Sequence, residues 1–263
     1  MKTTNRSIAG MALLSTLLLA TTPLEASSTI GARSIEISIR SDRGSTLSLY
    51  PVRTTSGAVK AYLEAHRGET YSIVARNLTR ERIGVVVAVD GRNIINGELS
   101  NLEPHEPLYV LNPLGSAEYS GWRTSRDSVN RFYFTNESRS YAGAFGDGSA
   151  MGVIAVAVYA EREVEREYRP YGYGRSPLEK RGKIMGKEGP GTGYGETGYE
   201  PARGVHFEAG RRAETVLVKY EWRETLCRLG IIDDRRFNRL WDEASAPPPP
   251  RRWWRFQVTG NSR

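Results

Sequence analysis

The chain has 263 residues, of which 37 are Lys or Arg and 30 are Asp or Glu, and its net charge is +7. The basic residues are spread along the body and gather only at the C-terminus, whereas nucleic-acid-binding proteins concentrate them on one face, so we expect no nucleic-acid partner. The single cysteine, Cys227, excludes an intramolecular disulfide, and a chain of this length buries an adequate core without one.

The N-terminus has the three parts of a secretory signal peptide. Lys2 and Arg6 are basic, and residues 8–20 are apolar and uncharged. The small residue Ala26 follows a short polar segment, and the apolar run is shorter than the roughly 20 residues that a membrane-spanning helix needs. Residues 1–26 are therefore predicted to be a cleaved signal peptide, and the mature protein to be periplasmic or secreted. The alternative is an uncleaved membrane anchor.

The body of the chain has the sequence pattern of a β-rich domain. Apolar and polar residues alternate over short runs, which is typical of half-buried strands, and Gly, Asn and Asp separate the runs. The predicted strands are residues 35–40, 47–52, 59–66, 71–76, 82–89, 109–111, 119–123, 131–135 and 152–160. Such a series favours an antiparallel β-sandwich or jelly roll over residues 30–169.

Two features of this series make more specific predictions. The turn at residues 67–69 predicts that 59–66 and 71–76 form a hairpin. Residues 83–89 are apolar at every position, which suits a central strand covered on both faces.

The composition changes after residue 161. Residues 170–204 repeat Gly and Tyr, bury little apolar surface and are predicted to form a flexible loop; the alternative is that their tyrosines form a stacking platform for a sugar or nucleic acid. Residues 205–244 are predicted to complete the domain with a strand at 214–222, a short helix ended by Gly230, and a second helix.

Several segments together resemble a known group. In chain order they are VVVAVDGRNIINGE, YVLNPLGSAEYSGWRTS, VNRFYFT and SYAGAFGDGSAMGVIAVAVYAERE, with KYEWRETLCRLGII near the C-terminus. This series resembles a family of exported bacterial β-sandwich-like proteins with no established activity. The resemblance covers residues 60–165 and 213–232. It implies an exported β-sandwich-like domain and brings no catalytic residues with it.

The sequence predicts neither a metal nor a cofactor. Asp90, Asn93 and Glu98 are conceivable oxygen ligands for calcium, and Asp147 is another, but Asp-Gly and Asn-Gly also end strands for steric reasons, which we favour. No nucleophile motif is visible, so no catalytic residue is predicted. The three histidines have no partner at metal-ligand spacing: His66, His105 and His206.

Trp122 and Arg123 are candidate ligand-binding residues in the body of the domain. They follow Gly121, and a tryptophan beside an arginine is typical of a sugar-stacking or cation–π surface. The alternative is a tryptophan packed over one end of the sandwich with the arginine covering it.

The tail, residues 245–263, is a second candidate binding segment. It contains four prolines and then a cluster of cations and aromatics whose composition resembles cationic antimicrobial peptides. We expect it to contact anionic envelope lipid or polysaccharide; the alternatives are a tail folded onto the domain and a disordered one. The residues are Arg251, Arg252, Trp253, Trp254 and Arg255.

These features predict an exported, non-enzymatic envelope protein with a binding or structural role. The alternative is a carbohydrate-binding or glycan-active protein that acts on wall or extracellular polysaccharide. A cleft with two close carboxylates would favour an enzyme, and a flat aromatic face would favour binding.

Overall fold

The computed structural model describes residues 25–54, 57–162 and 189–233. Most of the predicted signal peptide, the first part of the predicted loop, the second predicted C-terminal helix and the tail at 245–263 lie outside the described residues. Within the described part, no helix has the length and apolar composition that crossing a membrane requires.

The described chain is mainly β, as predicted. Its two short helices are α1, Tyr141–Ala144, and α2, Arg223–Arg228, and a 3-10 turn, Glu137–Arg139, precedes α1. The strands, in chain order, are β1 Ile30–Gly31, β2 Ile35–Ser41, β3 Leu49–Val52, β4 Val59–Ala65, β5 Thr70–Asn77, β6 Ile83–Val89, β7 Arg92–Asn93, β8 Tyr109–Leu111, β9 Ser116–Tyr119, β10 Gly121–Arg123, β11 Ser128–Asn136, β12 Val153–Glu161, β13 Pro190–Thr192, β14 Thr197–Tyr199 and β15 Ala209–Trp222.

The strands form two sheets that share one core. Sheet 1 has the order β1-β2-β5-β11-β10, with β9 on β5 and with β13 and β14 on β11. Sheet 2 has the order β3-β4-β15-β12-β6-β7, with β8 on β6. Residues from both sheets meet in a single apolar cluster, which is the arrangement of a β-sandwich. Its members include Ile37, Ile73, Phe132 and Phe134 from sheet 1 and Leu63, Val87, Val156 and Val218 from sheet 2.

Strand β6 is buried along its whole length, as its continuous apolar run predicts. Val85, Val87 and Val89 face the common core. On the other face, Val86 packs in a smaller cluster with Tyr159 of β12, and the segment after β7 covers that cluster. Both faces of β6 therefore exclude water, which explains why the run does not alternate.

The predicted hairpin of residues 59–66 and 71–76 is wrong. Both strands exist as β4 and β5, but β4 pairs with β3 and β15 in sheet 2, while β5 pairs with β2, β9 and β11 in sheet 1. The turn between them has Gly68 at φ +77°, and its N–H donates to Phe134 O at 2.8 Å. Both strands turn their apolar side chains toward the common core, and strands in opposite sheets satisfy this as well as a hairpin does.

The sandwich also contains one parallel pair. Strand β15 runs parallel to β4 from Val216, opposite Val59, to Trp222, opposite Ala65. A parallel pair requires a long connection, and more than a hundred residues separate these strands along the chain. Sheet 2 is therefore mixed.

Residues 189–204, predicted to belong to a flexible loop, instead carry β13 and β14. Both strands pair with β11, and Pro190, Gly191 and Thr192 are fully or almost fully buried. The high glycine content predicted that this segment buries little surface. In the fold, glycine instead allows the backbone to approach β11 closely, since a Cβ on Gly193 would lie 2.2 Å from the ring of Tyr133. The prediction is corrected for this part of the loop.

Candidate functional site

Trp122 of β10 is packed in the interior and is only 2% exposed. Its Nε1 donates to Gly193 O at 3.0 Å, and its ring meets Phe132 edge-on, with centroids 5.4 Å apart. The ring is therefore not presented to a ligand at the surface, which corrects the expectation that Trp122 itself stacks on a sugar. Arg123, the next residue, points to the opposite side of the strand and lines a separate cleft.

Above Trp122 lies a group of aromatic rings that reaches the surface. Tyr141 packs against Trp122 with centroids 4.4 Å apart. Tyr194 stacks on Tyr141 at 5.5 Å and 16° between ring planes, and Phe145 meets Tyr141 edge-on at 5.2 Å. Phe145 and Tyr194 are 42% and 46% exposed. We call Tyr141, Phe145 and Tyr194 the aromatic platform.

Helix α1 places two of the three rings. Ser140 caps the helix: its Oγ accepts from Gly143 N at 3.0 Å and donates to Glu137 O at 2.7 Å. The capped turn holds Tyr141 and Phe145 four residues apart, a spacing that brings side chains to one helical face. Gly143 is required there, because a Cβ at this position would lie 2.1 Å from Glu137 O.

The third ring is placed by the Gly-Tyr-Gly sequence after β13. Gly193 N donates to Tyr133 O at 2.8 Å, and Gly195 N donates to Arg131 O at 2.9 Å. Both glycines lie too close to β11 to carry a side chain. Tyr194 between them therefore points away from β11 and onto Tyr141.

Arg92 places a cation against the ring of Phe145, a member of the aromatic platform. Its guanidinium lies 3.9 Å from the ring centroid of Phe145, and its Nη1 donates to Gly97 O at 2.8 Å. A cation over an aromatic face attracts the ring by about 0.5–2 kcal/mol, and here the cation is buried whereas the ring of Phe145 is partly exposed. Arg92 therefore holds Phe145 in place.

Asp90 connects β13, the strand that precedes the platform residue Tyr194, to the core. Its Oδ1 accepts from Gly152 N at 2.8 Å and from Tyr220 Oη, and its Oδ2 accepts from Thr192 N at 2.7 Å. Burial raises the pKa of Asp90 to about 6, although these hydrogen bonds act to lower it. Asp90 also begins the predicted turn after β6, in which Asp90 and Gly91 have φ of +50° and +77°.

The calcium ligands considered from the sequence have separate protein partners instead. Both oxygens of Asp90 are engaged as above, Asn93 Nδ2 donates to Pro107 O at 2.8 Å, and Glu98 accepts from Asn96 Nδ2 at 2.7 Å. Asp147 Oδ1 accepts from the backbone and hydroxyl of Ser149. In the described ranges, no group of three or more His, Cys, Asp and Glu side chains is arranged to hold a metal ion.

Comparison of the chain with protein-family models, with curated proteins and with solved structures yields no match.

The sequence indicated one of the three platform rings, and only through an alternative to the flexible loop that it favoured. Tyrosines of the Gly/Tyr segment were considered as a stacking platform, and Tyr194 is one of its rings. Tyr141 and Phe145 were not singled out. Their signal was the spacing of four residues after Ser140, a capping residue, but a four-residue helix is too short to show a repeating apolar period.

Proposed function

We propose that this protein is an exported, non-enzymatic binding protein of the bacterial envelope, and that its aromatic platform binds wall or extracellular polysaccharide. The observation that carries the proposal is the exposed pair Tyr194 and Phe145, joined through Tyr141 and fixed from below by Trp122 and Arg92. Exposed apolar groups held by a rigid scaffold are typical of interaction surfaces.

The form of the platform favours a saccharide as its ligand. Aromatic rings offer a large flat apolar face and few rotatable bonds, so little side-chain entropy is lost when they bind. The hydroxyls of Tyr141 and Tyr194 add hydrogen-bonding groups at the edge of the rings. A pyranose ring has a matching apolar C–H face bordered by hydroxyls.

Binding and enzymatic function are separated by one pair of assays. The purified protein is incubated with insoluble wall polysaccharide, and both co-sedimentation and the release of reducing ends are measured. We expect co-sedimentation without release of reducing ends. Release that is lost in Glu137→Gln, Asp147→Asn or Glu196→Gln, at acidic positions within four residues of a platform ring, would favour the glycan-active alternative.

Export is proposed from the N-terminal sequence and from the resemblance to exported bacterial proteins. Cleavage after Ala26 would leave Ser27 as the first residue, and Ser27 is already part of the fold, since its backbone exchanges two hydrogen bonds of 2.7 Å with Leu49. The intact mass of protein recovered from the periplasm or medium tests this. A mass that begins at Ser27 is expected, and a full-length mass would contradict cleavage.

Attachment through the tail is proposed separately. The arginines of the tail would bind anionic headgroups or polymers, while its tryptophans lie at the membrane interface. The residues are Arg251, Arg252, Trp253, Trp254 and Arg255. Deletion of residues 247–263 is expected to abolish co-sedimentation with anionic liposomes and to leave binding to neutral polysaccharide unchanged. Equal liposome binding with and without the tail would contradict this role.

A further inference from the structure

Sheet 1 divides at the residue that joins β9 to β10. Strand β5 pairs with β11 only at Tyr71, opposite Phe132, and at Thr70, opposite Tyr133. Beyond that point β5 pairs with β9, and β11 pairs with β10. Among the described strands, β9 and β10 do not pair with each other. An opening in the sheet follows from this pairing.

A cleft of about 540 Å³ lies at this opening, and we call it the edge cleft. Strands β8, β9 and β10 form its walls on one side, and residues 200–207 close the other side. Its volume is within the range of small-molecule binding sites. The edge cleft does not include the rings of the aromatic platform.

The wall at residues 200–207 is fastened to β10 by Glu200. Its carboxylate accepts from Ser120 N at 2.8 Å, from Ser120 Oγ at 2.7 Å and from Arg123 Nη2 at 2.6 Å. Arg123 also donates to Glu200 O and to Tyr109 Oη. The charges of Arg123 and Glu200 therefore satisfy each other, and neither is available to a ligand.

Other donors around the edge cleft have no protein partner. Tyr119 is 2% exposed, lines the cleft, and its hydroxyl makes no hydrogen bond within the described residues. Arg82 Nε is likewise buried and unpartnered among the described residues, although the Nη2 of the same side chain pairs with Glu161 at 2.8 Å and donates to His206 O at 2.6 Å. Burial raises the pKa of Tyr119 well above its ordinary value, so the hydroxyl keeps its proton at neutral pH. A buried unpaired donor costs about 1–3 kcal/mol, which an incoming acceptor offsets.

Arg203 supplies a cation at the mouth of the edge cleft. It is exposed, and no hydrogen bond or ion pair engages it among the described residues. The other lining carboxylate, Glu118, is bound by Arg40 Nη1 at 2.9 Å and by Ser72 Oγ. The uncompensated charge of the lining is therefore positive.

The cleft also offers apolar and aromatic surface. Tyr109 stacks on Tyr119 with ring centroids 4.3 Å apart, and Phe207 lies on the opposite wall with Arg82 5.8 Å from its ring centroid. Free donors, one free cation and aromatic walls together suit a ligand that has an apolar ring face and a carboxylate.

We propose that the edge cleft is a second binding site that takes a carboxylate-bearing sugar, a uronate unit. The choice of a sugar rests on the function proposed above. The requirement for a carboxylate rests on the charge of Arg203, which no described residue pairs, with the Tyr119 hydroxyl and Arg82 Nε as further donors. Arg203 pairs with the carboxylate at the mouth, and the ring lies between Tyr109 and Phe207. The Tyr119 hydroxyl is buried, so its contact with the ligand requires a side chain of the cleft wall to move.

Titration of the ¹⁵N-labelled protein with galacturonate tests this site, with galactose as the neutral probe. We expect galacturonate to shift the amide resonances of residues 117–119 and 202–205 with saturation, and galactose to bind more weakly. Loss of a charge-assisted hydrogen bond corresponds to about a tenfold or greater rise in Kd, which we expect for Arg203→Gln. The control is Arg211→Gln, which removes an exposed arginine outside the cleft and should leave Kd unchanged.

Two further variants make the result decisive. Tyr119→Phe removes only the unpaired hydroxyl, so we expect it to fold normally and to raise the Kd for galacturonate severalfold. Tyr194→Ala removes a platform ring, and we expect it to leave galacturonate binding in the edge cleft unchanged. Absence of saturable shifts in the cleft, or equal Kd values for Arg203→Gln and Arg211→Gln, would overturn the second site. Polysaccharide binding that persists in Tyr194→Ala would contradict binding at the aromatic platform and would not bear on the edge cleft.

Discussion

Asp90 accepts a hydrogen bond from the backbone N–H of Thr192 at 2.7 Å, and this bond ties the end of β6 in sheet 2 to β13 in sheet 1. The side chain of Thr192 extends the connection, since its Oγ1 lies 2.7 Å from Tyr71 Oη and 2.8 Å from Tyr220 Oη. Tyr220 donates to Asp90, so the three hydrogen bonds run in one direction. Tyr71 donates to Thr192, Thr192 donates to Tyr220, and Tyr220 donates to Asp90. The segment that carries Tyr194 is thus anchored in the core two residues before that ring.

Asp90 should make stability depend on pH between about 4 and 6. Burial raises its pKa from 3.8 to about 6, so the folded protein holds the proton more tightly than the unfolded chain does. The stabilisation from Asp90 is therefore complete below about pH 4 and is lost as pH rises through about 6. The loss is on the order of 3 kcal/mol.

Urea unfolding of wild type and Asp90→Asn at a series of pH values measures this contribution. The asparagine does not titrate, so the difference in unfolding free energy between the two proteins should fall from about pH 4 to about pH 7. The amide introduced by this substitution also places an N–H₂ group opposite a backbone N–H, so the variant loses about 1–3 kcal/mol at every pH. A difference that stays constant across the range would contradict the raised pKa.

Removal of the Thr192 hydroxyl should weaken the whole core connection. Thr192→Val keeps the shape of the side chain but leaves the buried Tyr71 hydroxyl without its partner. We expect a loss of about 1–3 kcal/mol in unfolding free energy, measured by chemical denaturation. Thr197→Val is the matched control on β14, where the hydroxyl forms only a 3.4 Å contact with Asn130. A control variant as destabilised as Thr192→Val would count against a special role for Thr192.

The contributions of Arg123 and Glu200 to the free energy of unfolding should be strongly coupled. Their side chains are only 10% and 17% exposed and 2.6 Å apart, so either one alone is left as a buried charge when its partner is removed. Single replacements by Ala are expected to cost about 3–5 kcal/mol each, and the double variant much less than the sum. A double-mutant cycle by chemical denaturation measures the coupling, and additive effects would show that the two side chains act independently.

Local patterns predicted the strands better than their partners. Alternation at Ile35, Ile37 and Ile39 marks a half-buried strand, and all three are fully buried in β2. The same kind of pattern could not show that β4 and β5 belong to different sheets, because each strand buries one face in either arrangement. Gly230 ends α2 as predicted, with φ +68°, because a helix terminus depends on residues close in sequence.

The site was harder to predict because it depends on contacts distant in the chain. Trp122 was recognised as notable, but only the fold shows that its ring supports Tyr141 from below. The glycines around Tyr194 indicated a loop by composition, and their role became clear only against β11. Asp90 looked like a turn residue or a calcium ligand, whereas its partners Gly152, Thr192 and Tyr220 lie more than sixty residues away.

The most direct test of the proposed function compares two tyrosines from the same Gly/Tyr segment. Tyr194 belongs to the aromatic platform, whereas Tyr199 is 81% exposed and lies outside it. Neither ring is buried, so both replacements by Ala should leave the protein folded. The measurement is the Kd for a soluble wall polysaccharide, by isothermal titration. Loss of a stacked aromatic contact corresponds to about 1–3 kcal/mol, so Tyr194→Ala should raise Kd by about fivefold to a hundredfold while Tyr199→Ala leaves it unchanged. Equal Kd values for the two variants would contradict binding at the aromatic platform.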